Sequence, residues 1–159
     1  MMNQKREAAV WERVMAASAQ CPQPAKAQEP ALSPQQVLEL WQAEQHAAAT
    51  YNALAMKTGG RTRQTLLQLS RMEQEHEKKL AAVYYLMTGV RPKAERPVVS
   101  CSGIMEEEVR KLFEAEAEAA RCYYQLAEQK GSFGAAFHAL GQEEQQHSSM
   151  LLALLQSRM

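Results

Sequence analysis

Two stretches of this sequence, Glu73-Gln74-Glu75-His76 and Glu144-Gln145-Gln146-His147, place a carboxylate and an imidazole three residues apart. On an α-helix that spacing turns both side chains to one side, where they can close on a single metal ion. One such pair arises by accident on many solvated helices. The constraint here is that both pairs lie inside an internal repeat. Trp41-Gln42-Ala43-Glu44, Tyr51, Leu54-Ala55 and Gly59 align with Phe113-Glu114-Ala115-Glu116, Tyr123, Leu126-Ala127 and Gly131 at an offset of 72. Leu69, Glu73, His76 and Leu80 align with Leu140, Glu144, His147 and Leu151 at an offset of 71, so a single deletion near the turn reconciles the two registers. The chain holds two copies of a helical hairpin, each with one Glu on its first helix and Glu-x-x-His on its second.

Composition narrows the partners. Lys plus Arg equals Asp plus Glu at 18 each, so no global field favours nucleic acid or an anionic membrane. The 159 residues, 46% of them hydrophobic, suffice for one sizeable core. Cys21, Cys101 and Cys122 are odd in number and form no Cys-x-x-Cys, which argues against a disulfide framework, a zinc ribbon or a rubredoxin-like iron centre and fits a reduced, cytoplasmic setting. Charged Lys5, Arg6, Glu7, Glu12 and Arg13 interrupt any secretory apolar run, and no segment approaches the roughly 20 apolar residues of a membrane span.

Residues 1–33 read as an appendage. Val10, Trp11, Val14, Met15 and Ser18 share a helical stripe, which predicts an amphipathic helix over residues 3 to 19 that docks on the bundle or on a second subunit, or else serves as a targeting or partner-binding peptide. Pro22, Pro24, Pro30 and Pro34 make the segment from Cys21 to Pro34 an extended linker. The bundle then occupies residues 34–159. Ser33 as N-cap, Pro34 at the first helical position and Gln36 as capping-box partner start a helix that runs to about Thr58, its stripe being Val37, Leu40, Trp41, Glu44, Ala47, Ala48, Tyr51 and Leu54. After Gly59-Gly60 a second helix spans about Arg61 to Thr88, burying Leu66, Leu69, Glu73, His76, Leu80, Val83, Tyr84 and Met87. The third, about Gly103 to Lys130, buries Val109, Leu112, Phe113, Glu116, Ala119, Ala120, Tyr123 and Leu126. The fourth, about Ser132 to Arg158, buries Phe137, Leu140, Glu144, His147, Leu151 and Leu154.

Between the hairpins, Gly89 to Ser102 carries Pro92 and Pro97 and is too irregular for helix. Its length extends to about 46 Å, against roughly 37 Å for a helix of about 25 residues. It can therefore cross the whole bundle. Four helices, two tight turns and one long crossover describe an all-α, ferritin-like four-helix bundle.

In that bundle Glu44, Glu73, His76, Glu116, Glu144 and His147 fall at similar heights. Four buried, unpartnered carboxylates would cost several kcal/mol each or be forced to hold protons. Two divalent cations cancel the four charges, each with one His, one terminal Glu and a share in two bridging Glu, leaving positions open for dioxygen, peroxide or water. Oxygen and imidazole donors suit two iron ions, or manganese or a mixed pair, better than a thiolate-seeking metal.

Glu44 followed by Tyr51, the Glu73-Gln74-Glu75-His76 stretch, Glu116 followed by Tyr123, and Glu144 with His147 resemble the di-iron domain of the rubrerythrin group in the ferritin-like superfamily. The resemblance covers about residues 34 to 158 and implies that Glu44 and Glu116 are terminal ligands, Glu73 and Glu144 bridging ones, and His76 and His147 terminal nitrogen ligands. Two departures stand out. Rubrerythrins proper carry a second ligand Glu three residues on in the third helix, where this chain has Ala119, and a rubredoxin-like domain with no counterpart here. The iron movement linked to that Glu is not implied, and a peroxidase of this kind would need an external electron donor. A homodimer is suggested by family analogy alone.

Other polar residues near the stripe have blander readings. Glu114 and Glu118 are rotated about 200° from Glu116 and belong to the solvated side. Glu75, Glu77, His46 and His138 read as surface groups, and Cys122 as inert. Glu143 rivals Glu144 as a ligand, but Glu144 matches Glu73 in the repeat. Tyr51 and Tyr123 read both as core aromatics and as hydroxyls bonded to a ligand carboxylate. These residues are compatible with three functions. The first is a rubrerythrin-like oxidoreductase, a peroxidase or ferroxidase acting in oxidative stress or iron handling. The second is a di-iron hydroxylase of an organic substrate, with room for a channel at Ala47-Ala48-Ala49 and at Ala117, Ala119 and Ala120. The third is a non-catalytic iron-binding or assembly protein.

Overall fold

The structure, a computed structural model, describes residues 32–94, 97–129 and 131–157. The expected N-terminal amphipathic helix and most of the linker after it lie outside the described residues. Four helices make up the rest: α1 (Pro34–Ala55), α2 (Gly60–Thr88), α3 (Met105–Glu128) and α4 (Gly134–Gln156). None is long and apolar enough to cross a membrane among the described residues.

Local chemistry explains where the helices begin and end. The Ser33 hydroxyl accepts from the Gln36 N–H, and the Gln36 side chain accepts from the Ser33 N–H, the reciprocal capping box expected from the sequence. α1 stops at Ala55, short of Thr58, because Lys57 and Thr58 bond back to Leu54 and Ala55 in a tighter three-residue turn. Gly89 ends α2 at φ 74°, a left-handed cap favouring glycine. α3 begins at Met105, two residues later than Gly103, after extended Ile104, and Glu106, Glu107 and Glu108 place negative charge in its first turn, where the helix dipole favours it. α4 begins at Gly134, two residues after Ser132, and Gly134 bonds back to Gly131 in the preceding turn.

α1 packs along α2, and α3 along α4, with α2 also meeting α4. The second hairpin closes tightly: a Cβ on Gly141 would come within 3.0 Å of the Tyr124 ring. The interior is layered. One apolar cluster holds Tyr51, Leu54, Leu66, Leu69, Val109, Leu151 and Leu154; the other holds Val37, Trp41, Leu80, Val83, Tyr123, Phe137 and Leu140. α2 and α3 both run from the first cluster towards the second, so the chain from Gly89 to Ile104 must travel back along the bundle. It ends with Cys101 buried in the first cluster. Leu40, Ala47, Tyr84, Met87, Leu112, Phe113, Ala119 and Leu126 are only half-buried, because they lie on the flanks of their stripes. Between the two apolar layers lie Glu44, Glu73, His76, Glu116, Glu144 and His147.

This layering predicts a steep contrast between leucines. Leu69→Ala, which empties a fully buried position, is expected to cost about 2–5 kcal/mol in chemical denaturation. Leu152→Ala, at an exposed position, is expected to cost under about 0.5 kcal/mol.

Candidate metal centre

Each hairpin contributes half of the central layer. Glu44 comes from α1, Glu73 and His76 from α2, Glu116 from α3, and Glu144 and His147 from α4, and every one is 6% exposed or less. The i, i+3 spacing aims each helical pair inward, and the antiparallel hairpins bring the two pairs face to face. The imidazoles of His76 and His147 stack with centroids 5.0 Å apart and planes 18° from parallel.

The carboxylates divide into two kinds. Glu144 turns one oxygen to each imidazole, with Oε1 2.9 Å from His76 Nδ1 and Oε2 2.9 Å from His147 Nδ1. Glu73 does the same from the other hairpin, Oε1 lying 2.8 Å from His147 Nδ1 and Oε2 3.2 Å from His76 Nδ1. Glu44 and Glu116 each serve one side only, at 3.6 Å from His76 and 3.7 Å from His147 respectively. Their remaining oxygens accept hydrogen bonds from tyrosines, and the pairing is crossed: Tyr51 of α1 donates to Glu116 of α3, and Tyr123 of α3 donates to Glu44 of α1.

Glu143 stands outside this inner set. Its carboxylate accepts from Nε2–H of His76 at 2.7 Å, on the ring edge opposite the cluster, and from Lys79 Nζ at 2.7 Å. Sequence reasoning offers Glu143 only as a rival ligand and misses this contact, because helical phase says nothing about which side chain of a neighbouring helix lies opposite. His46, His138, Glu114, Glu118 and Glu75 are exposed, and Glu77 is half-buried with a bond from Gln45.

A cation fits the donors present. Among the described residues, both oxygens of Glu73 and of Glu144, Nδ1 of His76 and both ring nitrogens of His147 are buried and form no aligned hydrogen bond despite their short N···O distances, an accumulation that folded proteins otherwise avoid. Ligand atoms of Glu73, His76, Glu144 and His147 lie within 4.8 Å of one another. Carboxylate oxygen and imidazole nitrogen are donors for iron, manganese or zinc.

Without metal the layer balances its charge with protons. Burial, opposed by the nearby His76 imidazole, pushes Glu44 up to about 8. Burial likewise raises Glu116 to about 9. For Glu73 and Glu144 burial acts in the same direction, but the two imidazoles outweigh it and hold both below the ordinary carboxylate range. The surrounding carboxylates overcome burial at the imidazoles, raising His76 to about 12 and His147 to about 11. Burial, then the adjacent glutamate, raises Tyr51 and Tyr123 as well, so both phenols remain donors. At neutral pH two imidazolium cations therefore offset two carboxylates, while Glu44 and Glu116 are neutral.

Two consequences are measurable. Filling the layer with two divalent cations displaces one proton from each of His76, His147, Glu44 and Glu116. Titration calorimetry in buffers of different ionisation heat is expected to read about four protons released per chain near pH 7. The same four groups have folded-state values above their unfolded ones, so the stability they contribute is complete at low pH and is lost as pH rises towards those values. The thermal midpoint of metal-free protein should accordingly fall from about pH 6 to about pH 9. A flat profile, or release of no protons, would contradict this picture of the layer.

No curated protein and no solved structure matches the chain. The sequence model of one family, Rubrerythrin, does match, over residues 41–155, which takes in all six residues of the central layer and both tyrosines. Four helices in two hairpins, with a buried Glu and His cluster between them, are the architecture of a ferritin-like metal-binding domain, and the chain belongs to the rubrerythrin family.

Proposed function

We propose that this protein is a di-iron carboxylate protein of the peroxidase or ferroxidase type, reacting with hydrogen peroxide or dioxygen in oxidative-stress defence or iron handling. The observation that carries the reading is the division of the carboxylates. Glu73 and Glu144 each face both imidazoles with separate oxygens, as bridging ligands must, whereas Glu44 and Glu116 each face one, as terminal ligands do. His76 and His147 would complete the two positions through Nδ1, the nitrogen each turns to the carboxylates. Two ferrous ions held there would supply the two electrons that, with two protons, reduce peroxide to water, themselves becoming ferric; manganese would be held by the same donors.

The protein's own groups do the rest. The tyrosines hold Glu44 and Glu116 by one oxygen and leave the other directed to the layer. The two apolar clusters keep bulk water from the ends of the layer, which strengthens its internal electrostatics. The reductant for repeated peroxide turnover is a separate electron donor, met in a reducing, cytoplasmic setting that suits free Cys101 and Cys122.

Hydroxylation of an organic substrate draws less support. The cleft beside Ala48 and Ala49 is walled by α1, α2 and the crossover, and the cleft beside Ala117 and Ala120 by α3 and α4, and none of the six layer residues lines either.

Elemental analysis of protein purified aerobically, without an affinity-metal step, is expected to find about two iron ions per chain, the number this ligand motif holds. Peroxide consumption with an added reductant should follow iron content. Glu73→Ala and Glu144→Ala are each expected to lose both ions, and Tyr51→Phe to keep them. Failure to take up Fe(II) or Mn(II) would sink the proposal. Loss of a single ion in Glu144→Ala would make that residue terminal rather than bridging.

A further inference from the structure

The inner layer obeys the two-fold repeat closely. Glu44 matches Glu116, Glu73 matches Glu144, His76 matches His147, and the crossed tyrosine bonds match each other. Ala47 and Ala119, three residues beyond the two α1 and α3 glutamates, also match, so neither side has an extra carboxylate there. The outer ring edges of the histidines do not. Nε2–H of His76 donates to Glu143, which Lys79 in turn holds. Among the described residues, Nε2 of His147 is buried and has no partner. The repeat accounts for the difference: at its offset of 71, the positions corresponding to Glu143 and Lys79 are Met72 and Met150, which bear neither charge.

A carboxylate on the far nitrogen of a metal-binding imidazole fixes the tautomer, orients the ring and makes the near nitrogen a stronger donor. His76 has that support: once a metal displaces one of its two protons, Glu143 keeps the other on Nε2 and the Nδ1 lone pair faces the layer. His147 lacks it, and both its tautomers leave the outer nitrogen unsatisfied. Resting on the dimetal reading of the layer, we infer that the two metal positions are inequivalent: the one built on His76 is the tighter, and Glu143, steadied by Lys79, is the positioning residue that makes it so. The asymmetry comes from outside the ligand set. It gives an otherwise two-fold centre a first-filled and a second-filled position, and so a state with one ion bound, on the His76 side.

The test is stepwise titration of the metal-free full-length chain with Mn2+ and with Co2+, read by calorimetry and, for Co2+, by absorption as well. The wild-type chain is expected to bind two ions in unequal steps. Glu143→Met, which copies the other side of the repeat, is expected to weaken the tighter step about tenfold to a hundredfold and to bring it close to the second. Its first Co2+ equivalent should then divide between the two positions, so that the two equivalents give nearly the same absorption change, unlike those of the wild type. Glu143→Gln, keeping an acceptor without the charge, should recover part of the difference. Glu143 is partly exposed, with 37% of its side chain accessible, so these variants are expected to fold. Should Glu143→Met nonetheless unfold, Met72→Glu with Met150→Lys builds the missing pair beside His147 and is expected to tighten the weaker step. Two equal steps in wild type, or a Glu143→Met variant in which both steps weaken alike, would overturn the inequivalence while leaving the dimetal reading intact. A wild-type chain that bound neither ion would overturn that reading itself.

Discussion

Four carboxylates and two imidazoles share one water-poor layer, and the rest of the structure is arranged to keep them there and keep them neutral as a group. A buried charge left uncompensated costs several kcal/mol, a large part of what holds any domain of this size together. The apolar clusters at either end supply the burial. The layer itself reaches neutrality in two ways, with protons shared among its members or with two divalent cations in their place. Protein and metal are thus linked through a common charge balance, and whatever changes one changes the other.

Much of this arrangement is legible in the chain. The 71- and 72-residue offsets bring Glu44 into register with Glu116, and Glu73 and His76 into register with Glu144 and His147. Helical phase puts all six on interior stripes, and the length of the Gly89 to Ser102 segment lets the second hairpin start from the opposite end. These features are local or periodic, and local patterns survive in a linear sequence. Ser33, Pro34 and Gln36 are readable for the same reason, since a capping box involves residues only three apart.

What escapes the sequence depends on the rotation and distance of one helix against another. Tyr51 lies on the same face as Glu44, yet its hydroxyl bonds Glu116 across the bundle. Phase gives the face of a helix but not the neighbour opposite it. Glu143 is hidden in the same way: placed by phase one residue off the ligand stripe, it sits behind a histidine of α2. The ends of α1, α3 and α4 and the start of α4 differ from expectation by two or three residues, where tight three-residue turns close them.

The crossed tyrosine bonds would form equally well between two identical hairpins related by a two-fold axis, since each links a first helix to the equivalent first helix of the other copy. Such a pair of small chains would possess all six ligands and nothing to tell its two histidines apart. Joining the copies through Gly89 to Ser102 removes that restriction, because each position of the repeat can then hold a different residue. Glu143 opposite Met72, and Lys79 opposite Met150, are differences that a symmetric dimer of hairpins has no means to encode.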